Sequence, residues 1–295
     1  MLAARLDSPA MPLPDDLRMR DATDGDLPAI GALRESVGWS AQDWALRAAM
    51  APPEARCLVV VDAADAIVGV GSGITYGALG FIGNMVVAEG QRHRGVGSAV
   101  LETVIDFLES AGCTRLELFA TPAGRPLYAR HAFELTDPSA MVTVPRNAAI
   151  DADTDVVVEE AKDLDELTAY DAPRFGGDRK PLLAMMHADA ARPLLVARQA
   201  GTIRGYLWLR SDGPRVGPFL ADEPAIAAAL LRAAFERVPD AERLTLNLPM
   251  SNQPGVRWLR SLSIELEPWD GRMARGPQIA RRDDTIYANL VGALG

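Results

Sequence analysis

The chain contains few of the residues that build metal centres or disulfides. It has two cysteines, Cys57 and Cys113, and three histidines, His93, His131 and His187. Both cysteines lie beside apolar segments and no secretory signal precedes them, so we expect them to be buried and reduced rather than joined in a disulfide. The histidines do not have the spacing of metal ligands, so the sequence predicts no metal site.

Long apolar runs and an excess of positive charge are also missing. No stretch of 18 apolar residues occurs, so no transmembrane helix is expected. The 30 basic residues are outnumbered by 40 acidic ones, which gives a net charge of −10. This argues against a nucleic-acid partner and against an anionic membrane, because both bind basic surfaces. An acidic surface could attract a cationic amine or could simply favour solubility. With reduced cysteines and no signal peptide, these features predict a cytoplasmic protein.

The length and the order of the predicted elements indicate two domains. The 295 residues are many for one compact core, and 48% of them are hydrophobic, which is typical of a folded protein. We predict a flexible leader over residues 1–16, an N-terminal domain over 17–146, a linker over 147–155 and a C-terminal domain over 156–295. Both domains are predicted as mixed α+β, with similar orders of strands and helices.

The stretch from Ile82 to Ser98 predicts a strand, a glycine- and arginine-rich turn and the start of a helix. A helix N-terminus presents free backbone N–H groups and a partial positive charge, and therefore favours an anion. Gly95 and Gly97 let the backbone approach that anion closely, and Arg92 and Arg94 add positive charge. We call Arg92–Ser98 the pyrophosphate loop.

Two motifs carry a resemblance to a known family. The pattern Arg92-x-x-Gly95-x-Gly97 lacks the three glycines of the dinucleotide fingerprint and the Gly-Lys of a P-loop. It resembles the acyl-CoA motif Q/R-x-x-G-x-G/A of the GCN5-related N-acetyltransferase (GNAT) superfamily. Residues Gly124–Phe133 resemble the family segment G-x-x-L-Y-x-x-x-G-F, with Ala132 in place of the usual glycine. The resemblance covers roughly residues 17–144.

The resemblance implies a fold of two tandem GNAT-like domains, each a mostly antiparallel twisted sheet flanked by helices. It also implies direct transfer of an acetyl group from acetyl-CoA, as co-substrate, to the amine of a small molecule. An acyl-CoA-binding sensor module without turnover is the alternative. The residues expected to contact CoA lie on the strand and the loop: Met85, Val86, Val87, Arg92, His93, Arg94, Gly95, Val96, Gly97 and Ser98. Val87 is our choice for the N–H that polarises the thioester carbonyl.

The family's usual general acid corresponds to Tyr128, whose phenol suits protonation of a leaving thiolate. The alternative is a core aromatic residue beside Phe133. His131, one helical turn further on, could tune Tyr128 or could be an ordinary surface histidine.

The acceptor site is predicted with less support from the motifs. Trp39 and Trp44 could form an aromatic wall for the amine or could anchor two helices to the sheet. Asp43 and Glu117 are candidates for a general base, and surface carboxylates are the alternative.

The second domain lacks the glycines of the first. Asp222–Ala227 stands where the pyrophosphate loop is expected, so this domain is predicted to be a degenerate copy that shapes the acceptor pocket or an interface, including that of a possible homodimer. It resembles the C-terminal domain of tandem GNAT proteins through Tyr170-Asp171 and Phe175–Arg179. Asp178 and Arg179 are predicted to form an ion pair at the start of a helix, or to project into a cleft.

Overall fold

The computed structural model describes residues 12–40, 43–51, 53–151, 155–189, 192, 194–210, 213–290 and 292–295. Residues 1–11 of the predicted leader and residues 152–154 of the predicted linker lie outside this range. The chain divides into two compact units: residues 1–75 with 82–112, and residues 76–81 with 113–295. Strand β4 contributes to both.

The first unit is a mixed α/β structure. In chain order its elements are β1 Arg18–Asp21, α1 Leu27–Glu35, α2 Asp43–Ala49, β2 Ala55–Val61, β3 Ile67–Tyr76, β4 Leu79–Val87 and α3 Val96–Ser110, where β3 and β4 extend into the second unit. The strands lie in the order β1-β2-β3-β4, and β1 with β2 and β2 with β3 pair in antiparallel register. Ile30 of α1 and Leu46 of α2 are fully buried against Val59 of β2. The predicted order of elements is therefore confirmed here.

Three glycines on one face of β3 allow α3 to lie close to the sheet. A Cβ on Gly71 would be 2.4 Å from Cγ1 of Val100 and 2.6 Å from Sδ of Met85. Gly69 and Gly73 meet α3 in the same way, at distances of 3.1 Å and 2.9 Å. Since α3 begins at the pyrophosphate loop, this packing fixes the height of the loop above the strands.

The second unit holds the remaining elements. They are β5 Arg115–Ala120, α4 Arg125–Arg130, β6 Glu134–Pro145, β7 Val157–Glu160, α5 Leu164–Phe175, α6 Lys180–His187, β8 Leu194–Gln199, β9 Thr202–Leu209, β10 Val216–Ala221, α7 Pro224–Arg237, β11 Arg243–Pro249, α8 Gln253–Ser261, β12 Leu266–Arg275 and β13 Ile286–Ala288. Two strand orders occur, β5-β12-β6-β11 and β13-β10-β9-β8-β7. The pairs that join neighbours in these orders are antiparallel.

Strand β12, from near the end of the chain, lies between β5 and β6. Gly271 is opposite Ala120 of β5 and Pro138 of β6. On the other side of β6, Val142 is opposite Leu246 of β11. The predicted linker 147–155 therefore separates strands that pair with each other. The sequence pattern indicates a strand only near Glu265–Glu267, at the start of β12, because a register shift between Pro268 and Gly271 hides the alternation that marks a strand.

Both cysteines are buried, as expected, and neither is joined in a disulfide. Among the described residues no helix is long and apolar enough to cross a bilayer, and no group of three or more His, Cys, Asp or Glu side chains could hold a metal ion.

Candidate functional site

The pyrophosphate loop is a turn with two left-handed residues followed directly by α3. His93 has φ = 62° and Gly95, the residue before the first helical turn, has φ = 85°. The Ala99 N–H donates to the Gly95 carbonyl at 3.0 Å and starts the helical hydrogen bonds. Because Gly95 has no side chain to cap the helix, nothing at that position competes with an anion for the N–H groups of Val96, Gly97 and Ser98.

The arginines and the histidine of the loop are exposed. The Arg92 Nε donates to the Val87 carbonyl at 3.2 Å, which ties the loop to the end of β4. Arg94 pairs with Asp16 at 2.7 Å, and this hydrogen bond lowers the pKa of the exposed Asp16 carboxyl. Sequence reasoning missed Asp16, which lies in the predicted leader. It forms an ion pair with Arg94, one of the two arginines of the loop.

The end of β4 presents its residues alternately. Val86 is buried, whereas Met85 and Val87 are half-buried. The Ala88 N–H donates to the Val68 carbonyl of β3 at 2.8 Å. Since N–H groups of successive strand residues point to opposite sides, the Val87 N–H points away from β3. That direction leaves it free of the β3 ladder, as a donor to a bound carbonyl requires.

Asn84 interrupts β4 with a left-handed conformation, φ = 57°. Its side chain is buried: Nδ2 donates to the Ser72 hydroxyl at 2.9 Å, and Oδ1 accepts a hydrogen bond from Arg34 Nη1. Sequence reasoning did not single out Arg34, Ser72 or Asn84. The signal in the sequence was Gly83-Asn84 within an apolar strand, because asparagine tolerates the left-handed region better than other non-glycine residues.

Of the predicted acceptor residues, Trp39 contacts this network. Its ring centre is 5.7 Å from the Arg34 guanidinium carbon, within the range of a cation–π interaction. Trp44 is half-buried on α2, and Asp43, the first residue of α2, is exposed. The structure therefore brings Trp39 into contact with Arg34 and leaves Asp43 at the surface.

Tyr128 is 7% exposed on α4 and packs edge-on against Phe133, with ring centres 6.3 Å apart. Within the described part of the chain its hydroxyl has no hydrogen-bond partner. Burial and, to a lesser extent, the nearby Asp270 carboxylate raise its pKa, so the phenol stays protonated at neutral pH. A buried, protonated and unpartnered phenol can serve as a proton donor. His131 follows α4 as its C-cap.

Asp270 of β12 is a carboxylate that the sequence analysis did not identify. It lies in the irregular segment where the register of β12 shifts. Desolvation raises its pKa, and Arg125 on α4 opposes this effect. Arg125 Nη2 would be 3.5 Å from a Cβ on the adjacent Gly271, so the guanidinium lies against β12 at this point.

Glu117 is 1% exposed and surrounded by arginines. It accepts a hydrogen bond from Arg115 at 3.0 Å and from Arg281 at 2.8 Å, and Arg272 is 3.6 Å away. Burial alone would raise its pKa, but these guanidinium groups together lower it. A carboxylate held in this way is a poor proton acceptor and joins β5 to β12 and the segment that follows it. The environment therefore favours a structural role.

Two family models match the chain. A model described as the acetyltransferase (GNAT) family matches residues 23–133, and one described as an acetyltransferase (GNAT) domain matches residues 167–288. The first match contains the pyrophosphate loop and Tyr128. The chain belongs to the GNAT superfamily.

Relatives agree with this assignment. Holothin acyltransferase of Pseudoalteromonas sp. (strain SANK 73390) is 24% identical over 217 residues, which is 73% of each chain. The uncharacterized N-acetyltransferase YitH of Bacillus subtilis (strain 168) is 28% identical over 163 residues, which is 53% of this chain and 56% of YitH. This GNAT protein is therefore an acyltransferase by family.

Solved structures show the tandem fold. A Pyrococcus horikoshii protein of proposed acetyltransferase activity superposes with a TM-score of 0.80 at 21% identity, over 95% of this chain and 96% of that one. A tandem GNAT protein from the clavulanic acid biosynthesis pathway gives a TM-score of 0.64 at 14% identity, over 89% and 99% of the two chains.

The second GNAT domain has a carboxylate where the first has its loop. Asp222, just before α7, pairs with Arg174 at 2.7 Å and with Arg204 at 3.0 Å, and accepts a hydrogen bond from the Tyr170 hydroxyl at 3.2 Å. A carboxylate of the chain itself thus already pairs with the arginines at the start of α7.

The prediction that Asp178 pairs with Arg179 is wrong. Arg179 is fully buried and donates to Asp171 at 2.8 Å and 2.9 Å and to the Tyr206 hydroxyl at 2.9 Å. Asp178 instead accepts the Lys180 N–H at 2.9 Å at the start of α6. The buried guanidinium required a buried carboxylate, which Asp171 on α5 supplies and the exposed Asp178 cannot.

Proposed function

We propose that the chain is an acetyl-CoA-dependent N-acetyltransferase that acts on the amine of a small molecule, with its working site in the N-terminal domain, residues 17–146. The observation that carries the proposal is the pyrophosphate loop, where Gly95 in a left-handed conformation opens the N-terminus of α3 to an anion. The exposed Arg92 and His93 lie beside it. Such a loop suits the pyrophosphate of CoA.

The proposed reaction is direct transfer. The amine nitrogen attacks the thioester carbonyl, whose developing oxyanion accepts a hydrogen bond from the Val87 N–H. The C–S bond then breaks, and Tyr128 protonates the thiolate. Starting from an ammonium, the nitrogen loses two protons: one replaces the proton that Tyr128 gave to sulfur, and the other reaches solvent.

For the acceptor we retain Trp39, Trp44 and Asp43, and we do not assign proton transfer to Glu117, which three arginines hold. Asp270 is a further candidate for the proton acceptor, since its half-buried carboxylate interacts electrostatically with Tyr128.

We propose that the C-terminal domain, residues 156–295, binds no CoA. Its α7 begins with Pro224 after Glu223. The Asp222 carboxylate lies where a bound pyrophosphate would be expected and pairs with Arg174. One CoA site per chain is therefore expected.

Calorimetric titration with CoA and acetyl-CoA tests the proposal. The wild type should bind one equivalent of each, and Gly97→Glu should abolish binding because it places a carboxylate where the pyrophosphate lies. Ser110→Glu is the matched control, since it places the same charge on an exposed residue at the other end of α3.

An amine panel assayed by CoA-thiol release then separates the enzyme from the sensor. Binding of acetyl-CoA without transfer to any amine and without hydrolysis would favour the sensor. Binding that survives Gly97→Glu would contradict CoA binding at the pyrophosphate loop. Two equivalents per chain would contradict the proposal that Asp222 keeps CoA out of the C-terminal domain. Light scattering on the same samples tests the predicted homodimer.

A further inference from the structure

A buried polar network lies directly before the half-buried residues of β4. Arg34, Ser72 and Asn84 are 5%, 1% and 2% exposed. The Asn84 side chain links the other two, since it donates to the Ser72 hydroxyl and accepts from Arg34. The Ser72 hydroxyl in turn donates to the Gly83 carbonyl at 3.2 Å. The network therefore holds both the side chain of Asn84 and the backbone just before it.

The conformation of Asn84 sets the direction of the strand beyond it. A left-handed residue within a strand breaks the regular ladder, bends the strand and re-aims the groups that follow, as a bulge does. Before Asn84 every residue of β4 is buried, and after it the strand alternates between half-buried and buried residues. The N–H of Val87, three residues on, therefore points where the turn at Asn84 directs it.

Arg34 connects this turn to the α1 side of the unit. It sits in the last turn of α1, its Nε donates to the Ser40 carbonyl at 3.2 Å, and its guanidinium lies under the Trp39 ring. A planar guanidinium can bind all three neighbours at once, which the single ammonium of lysine cannot.

We propose that Arg34 and Asn84 are positioning residues for acyl transfer: the Arg34–Asn84–Ser72 network fixes the left-handed turn that aims the Val87 N–H at the thioester carbonyl. None of these bonds connects Arg34 or Asn84 to the pyrophosphate loop. The network thus acts first on the reacting carbonyl, and pyrophosphate binding, which depends on the N-terminus of α3, should change little. This inference rests on the proposed function.

Variants of Asn84 separate conformation from side-chain bonding. Asn84→Asp keeps an acceptor for Arg34 and the tolerance for positive φ but loses the N–H that Asn84 donates to Ser72. Asn84→Gly keeps only the conformation, and Asn84→Ala keeps neither. Transfer from acetyl-CoA to hydroxylamine, a small neutral nucleophile, and CoA calorimetry are measured on each. Transfer should fall about 10²-fold in Asn84→Ala, the scale of a slight misplacement at the reacting centre. It should fall less in Asn84→Gly and least in Asn84→Asp, with CoA affinity unchanged throughout.

Arg34→Lys should also slow transfer, and its effect should be non-additive with that of Asn84→Ala, because both remove the same bond. Arg47→Lys is the control, since Arg47 on α2 is exposed and pairs with Asp24 at the surface. Equal transfer in wild type and Asn84→Ala, or losses of CoA affinity that parallel the losses of rate, would overturn the inference and leave the proposed function standing.

Failure of the proposed function has a separate signature. A wild type that binds no CoA contradicts both ideas. If the wild type binds acetyl-CoA without transfer, amide hydrogen exchange at Val87 decides the inference. In wild type and in Asn84→Asp, acetyl-CoA should then slow this exchange more than CoA does. In Asn84→Ala, acetyl-CoA and CoA should slow the exchange equally. Any other pattern overturns the inference.

Discussion

Tyr128 shows how burial suits a side chain to proton donation. The phenol, on α4, packs against Phe133, and its removal from water raises its pKa. The raised pKa keeps the phenol protonated but also makes its proton harder to release. The motif in the sequence located Tyr128; its unpartnered hydroxyl and the neighbouring Asp270 came only from the fold, since Asp270 is 142 positions away in the chain.

We expect Tyr128→Phe to reduce turnover about 10²-fold while leaving CoA affinity unchanged, because only the proton donor is lost. Steady-state kinetics with acetyl-CoA and calorimetry with CoA measure the two effects. Phe133→Leu, which removes the packing partner and keeps the hydroxyl, is the control for indirect damage. Turnover equal to wild type would return Tyr128 to a purely structural role.

Helix α1 begins at a pH-sensitive site. Arg20 binds both carboxylate oxygens of Asp26, at 2.7 Å and 2.8 Å, and Asp26 also accepts from the Thr23 N–H and hydroxyl. The Arg20 hydrogen bonds are the largest cause that lowers the pKa of Asp26 below its ordinary value of 3.8. Thr23 and Asp26 are neighbours in the chain, but the partnership of Asp26 with Arg20 depends on where β1 lies.

The depressed pKa gives a signed prediction. A carboxylate whose pKa is lower in the folded state stabilises the fold above the unfolded pKa, and that contribution disappears as the pH falls through the folded value. Asp26→Asn should therefore lower the melting temperature at pH 7, and its deficit relative to wild type should shrink as the pH falls below about 4. Thermal melts across this range, with the exposed Asp65→Asn as control, test this. A deficit that is independent of pH would contradict it.

The close contact between α3 and β3 can also be tested. Gly71→Ala would place a Cβ 2.4 Å from Val100 Cγ1, so the helix must move or the core must strain. We expect a loss of about 1–3 kcal/mol in the free energy of unfolding, together with weaker CoA binding as the pyrophosphate loop shifts. Chemical denaturation and calorimetry measure the two effects. Gly90→Ala, where a Cβ meets nothing within 4 Å, should change neither stability nor affinity.

The strands of the two halves interleave in the second unit, and this is where sequence reasoning stopped. Local patterns located most helices and strands because caps, glycines and apolar spacing act over a few residues. They could not show that β12 lies between β5 and β6, since those pairings join residues about 120–160 positions apart. The ion pairs of Glu117 with Arg272 and Arg281 depend on the same arrangement.

A chain that ends at residue 146 should not be stable alone. It would expose the edges of β5 and β6 that β12 covers, and unpaired edges favour aggregation. We expect the fragment 1–146 to be insoluble and co-expression with 147–295 to recover soluble complex. Fractionation of the two expressions measures this. Soluble, monomeric 1–146 with cooperative unfolding would show that β12 is dispensable for that half.

The position of β12 also has a consequence during synthesis. Strands β5 and β6 are complete once Pro145 has been translated, but their shared neighbour begins only at Leu266. At 5–20 residues per second the ribosome needs roughly 6–24 s to make the intervening stretch. During that time the nascent chain lacks the strand between β5 and β6, and holdase chaperones have a defined interval in which to bind. Ribosome-arrested chains that stop before β12 should accordingly be cleaved by protease between β5 and β6, and chains arrested after its emergence should resist cleavage there.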